Sequence, residues 1–175
     1  MNKKVTIKKI ATASVLTAVA LTIYVIEANI PALAPVPGIK LGLSNIVTVF
    51  ALYALGPKTA LAVLVCRITL GGIAVGQPMA VLYGVAGGLL AFLFAVLAYR
   101  RFPKRRIWIL SSLSAVLHNI GQIALAALVM NTAGLFIYLP ALVASGIVTG
   151  AFTGAAAQAL LHRLVKNGII TYYGE

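Results

Sequence analysis

Apolar residues run in long blocks along this chain, and the polar residues gather at the breaks between them. Six blocks stand out, at 10–30, 41–55, 57–75, 79–99, 107–130 and 135–164. A helix rising 1.5 Å per residue needs about 20 apolar residues to cross roughly 30 Å of hydrocarbon, so the pattern predicts transmembrane helices, the second one short. The separators are turn formers: Pro37-Gly38, Gly56-Pro57, Gly76-Gln77-Pro78, Phe102-Pro103 and Asn131 to Gly134. None leaves room for an extramembrane domain. The expectation is a single all-α integral membrane domain over 1–175, a six-transmembrane-helix bundle at 10–164 with a basic segment at 1–9 and a tail at 165–175. The first block follows lysines as a signal peptide would. At about 20 residues it is too long for a signal h-region, and it is read as a retained helix.

Composition agrees: 62% of residues are hydrophobic, 9% are charged and the mean hydropathy is +1.06, against roughly 25% charged in a soluble domain. The 14 Lys and Arg against 2 acids would suggest nucleic acid in a soluble chain. Here twelve of the fourteen sit at block ends, the exceptions being Lys40 and Arg67. Basic residues collect on the cytoplasmic side of membrane proteins. An N-terminus inside puts those twelve inside and only Lys40 outside, so both termini are expected in the cytoplasm. The charges encode topology rather than a nucleic-acid footprint.

Arg67 breaks the apolar pattern, in the middle of the third block. A guanidinium stays protonated, and at a bilayer centre it costs from about 2.5 to above 10 kcal/mol unless it faces a polar interior. It either ties neighbouring helices together through their carbonyls or binds an anionic group. Counting from the block ends puts Arg67 and His118 near the midplane, about 15 and 16 Å deep. Asn119 and Gln122 follow His118, which shares one helix face with Gln122. Glu27 lies near the outer end of the first block, and Lys40 and Asn45 enter the second from outside. These seven residues form the candidate substrate-binding set, opening outward. Glu27 and Arg67 are expected about 10 Å apart in depth, beyond direct contact without tilt. Tyr24, Tyr83 and Tyr138 are either interfacial belt residues or pocket walls. The segment 31–40 is apolar, proline-rich and expected on the water side, which fits a lid better than a free connector.

Gly146, Gly150 and Gly154 form two overlapping GxxxG units, a stripe that lets another backbone approach. Ser14 and Ala18, among other small residues of the first block, make a second candidate docking face. With no Asp in the chain, an Asp-rich Mg²⁺ cluster is excluded. There is no GxxxxGK[ST] loop, and two His and one Cys, scattered, make no metal site. The chain is expected to be neither an enzyme on its own nor the holder of a cofactor.

The runs EANIP at 27–31, PGIKLGLSN at 37–45, RITLG at 67–71 and HNIGQ at 118–122 resemble the bacterial heptaprenyl diphosphate synthase component I family, also called the Gx transporter family. The likeness extends over nearly the whole chain, from about 10 to 164. Prenyl diphosphate synthases are soluble and rich in Asp motifs, so the resemblance implies no synthase activity. The six-helix plan with an apolar first outer loop is similar to substrate-binding S components of energy-coupling-factor (ECF) importers. That likeness implies a cell-membrane subunit that captures a small anionic or amphipathic compound, an isoprenoid or quinone precursor or a vitamin. It would dock, through a face such as Ser14/Ala18, on a transmembrane coupling protein driven by two ATPases. The other readings are a non-catalytic accessory subunit that holds a soluble polyprenyl diphosphate synthase at the membrane, and a proton-coupled transporter using Glu27 and His118.

Overall fold

The computed structural model describes residues 3–30 and 42–174, with side chains from residue 7 onward in the first stretch. Among these residues there are six α-helices and no strand: α1 Lys3–Ala28, α2 Asn45–Leu55, α3 Pro57–Ala74, α4 Pro78–Ala98, α5 Ile107–Val129 and α6 Leu139–Lys166. Short 3-10 turns, Lys104–Arg106 and Ala133–Tyr138, lead into α5 and α6. Prolines open α3, α4 and α6, where the missing N–H has no intrahelical partner to lose. Gly56 separates α2 from α3 at φ +91°, a conformation glycine adopts freely.

Five helices are long and apolar enough to cross a membrane. The exception is α2, whose 11 residues reach only about 16 Å. Its residues 47–53 are buried without interruption, and it packs against α1, α3 and α6. A helix apolar on every side belongs inside, so the sixth segment is a half-length helix enclosed by the other five. α1 begins two turns earlier than the apolar block, among Lys3, Lys4, Lys8 and Lys9. Lysine is a good helix former, and its stem lies along apolar surface while its charge reaches water.

Glycine stripes set the tightest contacts. A Cβ on Gly150 would meet the Ser112 Cα at 2.6 Å, and one on Gly154 would meet the Trp108 Cα at 2.6 Å, so the α6 stripe lies against α5. Polar side chains add to this seam: Ser112 Oγ donates to the Ile147 carbonyl at 3.3 Å, and Gln158 accepts from the Ile107 N–H at 2.9 Å. On the other side of α5, a Cβ on Gly121 would come within 2.8 Å of the Gly87 Cα on α4. Outside these seams, Val19, Ile26, Leu93, Leu97, Val148 and Phe152 are exposed, which is the face a bilayer requires.

Candidate functional site

Four charged or polar side chains from three helices meet inside the end of the bundle opposite the basic clusters. Glu27 from α1, Arg67 from α3, and His118 and Gln122 from α5 line one small cavity with Tyr24, Gly42, Ser44 and Gly84. Exposure is 3% for Glu27, 2% for Arg67, 4% for His118 and 2% for Gln122, so each must find its partners within the protein. The space between them is about 10 Å³ for the centre of a water-sized sphere, no more than one water requires.

The charges are joined through the start of α2. Glu27 Oε1 accepts from the Gly42 N–H, and Oε2 from the Ser44 N–H at 3.5 Å. Arg67 donates through Nη1 to Ser44 Oγ and through Nη2 to Asn45 Oδ1 at 3.0 Å. Ser44 therefore touches carboxylate and guanidinium at once, and it carries the link across the depth that separates them. Arg67 Nε, also buried, has no hydrogen-bond partner among the described residues.

Glycines let the walls close. Gly42 sits at φ +80°, and a Cβ there would lie 2.7 Å from Asn45 Nδ2 and 3.3 Å from His118 Cδ2. Any other residue would meet both a strained backbone and an occupied space. The Tyr24 ring lies on Gly71, where a Cβ would be 2.6 Å from Cδ1. On α4, a Cβ at Gly87 would be 2.9 Å from Gln122 Cγ and 3.1 Å from His118 Nδ1. Next to Asn45, a second space of about 20 Å³ is lined by Thr48, Leu52, Leu64, Phe92 and Ser114. The Thr48 and Ser114 hydroxyls there are buried without partners among the described residues.

Of the seven candidate binding residues, the structure brings together Glu27, Asn45, Arg67, His118 and Gln122. Asn119 points elsewhere: fully buried, it donates through Nδ2 to the Leu142 carbonyl of α6 at 2.6 Å, beside Gly146. Lys40 and the segment 31–40 lie outside the described residues. Ser14 and Ala18 line an apolar groove of about 600 Å³ between α1 and α3, with Ala62 and Cys66 opposite. Sequence reasoning missed Ser44 and the Gly42 N–H. A serine beside a helix start carries no mark of a buried role, and a backbone donor carries none at all. Tyr24, open between belt and wall, is 5% exposed and lines the cavity.

The family model for heptaprenyl diphosphate synthase component I matches residues 16–160, and the chain belongs to that family. No curated protein and no solved structure matches it.

Proposed function

We propose that this family member is the membrane-embedded substrate-binding subunit of an ECF-type importer, taking a small anionic or amphipathic compound. The observation that carries the reading is Arg67: a buried guanidinium whose present partners, Ser44 and Asn45, are neutral oxygens at the start of α2. A carboxylate or phosphate offers a guanidinium an opposite charge and two parallel hydrogen bonds, which a neutral hydroxyl or amide oxygen does not. An anionic ligand therefore competes for Arg67 and releases Ser44 and Asn45. These residues follow directly on the segment 31–40, so the exchange pulls on the proposed lid. Glu27 also holds the approach to α2, through the Gly42 and Ser44 N–H groups. His118 and Gln122 supply the remaining polar contacts. The basic end faces the cytoplasm by the positive-inside rule, which opens the site outward. The α1–α3 groove with Ser14 and Ala18 is the surface offered to a coupling protein.

The test is recovery of the tagged protein from its native membrane in mild detergent, with mass spectrometry of bound proteins and small molecules. A coupling protein with ATPases, and a ligand whose affinity falls at least about tenfold in Arg67→Ala, is the expected result. Undiminished affinity removes Arg67 from the site.

A second reading rests on the family's description: a non-catalytic component that anchors a soluble polyprenyl diphosphate synthase. Recovery of such a synthase without ATPases selects this reading and overturns the first. Reversing the charges at 100–106 without loss of insertion then abolishes synthase recruitment.

A further inference from the structure

The opposite end of the bundle carries a second concave site, built by the return of the C-terminal tail. After α6 the chain folds back, and the Tyr173 N–H donates to the Tyr53 carbonyl at 2.7 Å. Beneath the Tyr173 ring lies Gly56, where any Cβ would collide with the ring. The tail and the segment 99–105 enclose a groove of about 710 Å³, within the usual range of small-molecule sites. Its walls are Tyr53, Tyr99, Tyr172 and Tyr173, with Arg100, Arg101, Lys104 and Arg105 set among them.

Tyrosines hold two of the cations. Arg100 Nε donates to the Tyr99 hydroxyl at 3.0 Å, and Lys104 Nζ sits 4.3 Å from the centre of the Tyr172 ring. No carboxylate lines the groove among the described residues. The chain's second acid, Glu175, follows Gly174 outside them. Tyr172 is 7% exposed, and its buried hydroxyl has no hydrogen-bond partner among the described residues. Topology accounts for positive charge on this side. It does not account for a concave, tyrosine-walled arrangement or for an unsatisfied phenol within it.

We propose that this groove binds a phosphate group of about two or more negative charges, a monoester or diphosphate, presented at the membrane surface. Guanidinium forks match phosphate oxygens in pairs, and the tyrosines wall the space around them. The groove lies at the helix ends, at the level of lipid headgroups, so the phosphate comes either from a phosphomonoester lipid or from a soluble ester or diphosphate.

Two probes separate these sources, applied to the full chain in phosphatidylcholine nanodiscs. Calorimetric titration with inorganic diphosphate reads the soluble source. Native mass spectrometry from discs containing phosphatidic acid reads the lipid source. Saturable binding of either probe supports the site and names its source; binding of neither overturns it. Arg105 lines the groove and its neighbour Arg106 does not, although both are exposed. Arg105→Gln is expected to weaken binding about tenfold, through loss of hydrogen bonding to a charged group. Arg106→Gln is expected to change it less than about twofold, as a diffuse charge effect screened by salt. The two arginine variants change charge and topology signal equally. Equal losses in both would mean a basic surface without a site, and would overturn the proposal.

Discussion

At one end of this bundle a single guanidinium and a single carboxylate lie 2–3% exposed, joined through one serine around a space for about one water. At the other end four cations line an open groove of about 710 Å³ walled by tyrosines, with no carboxylate among the described residues. The difference follows from solvation. Inside, a charge without water must find its partners in the protein, because an uncompensated ion costs several kcal/mol. At the surface water is at hand for the cations, and tyrosine contacts worth about 0.5–1 kcal/mol each help to place Arg100 and Lys104. The interior end is therefore intolerant and specific, and the exterior end tolerant and adaptable.

The sharpest way to break this contrast is to remove one interior charge. Arg67→Met leaves Glu27 buried with only the Gly42 and Ser44 N–H groups, and we expect a loss of about 3–5 kcal/mol. Glu27→Gln alone destabilises as well. The double variant recovers part of the sum, because no unmatched charge then remains. Chemical unfolding in detergent measures all three. Strict additivity would mean that Ser44 does not couple the two charges. A smaller effect is expected behind the chamber, at Gly121→Val. Its Cβ would meet the Gly87 Cα at 2.8 Å and the Ala86 carbonyl at 3.0 Å. Backbone on both sides cannot rotate away, and overpacking of this kind costs about 1–3 kcal/mol. An unchanged unfolding midpoint would show that the α4–α5 seam yields, and that the chamber's closeness is not fixed by glycine.

How much of this was legible in the sequence differs between the two ends. Apolar blocks are conspicuous because lipid demands them, and Glu27, Arg67, His118 and Gln122 are conspicuous because they violate those blocks. Their meeting was only half legible. Counting residues along separate helices separates Glu27 from Arg67 by about 10 Å of depth, and it is Ser44, an unremarkable residue, that closes the distance. Asn119 looked equivalent to His118 and Gln122. It is one residue along, so helical rotation turns it toward α6 and Leu142 instead. The groove at the basic end was not legible. Arg100, Arg101, Lys104 and Arg105 read as a topology signal, and Tyr172 and Tyr173 as a tail. Only the return of that tail to Tyr53, a contact across more than a hundred residues, makes them one surface. The half-length of α2 is the intermediate case: its shortness was visible, its enclosure by the other helices was not.

The smallest expected effect tests the tolerant end. Arg105 is exposed and faces no carboxylate among the groove's described residues. Arg105→Gln should therefore shift stability by less than about 0.5 kcal/mol, as surface substitutions do. It removes the same formal charge as Arg67→Met, so the pair isolates environment from charge. Raising salt should shrink this small difference further, because ions screen an exposed guanidinium far more than a buried one. A loss approaching that of Arg67→Met would make the groove's cations structural ties for the returning tail. The groove would then be as rigid as the chamber, and the contrast between a matched interior ion and a solvated surface one would no longer describe how this bundle handles charge.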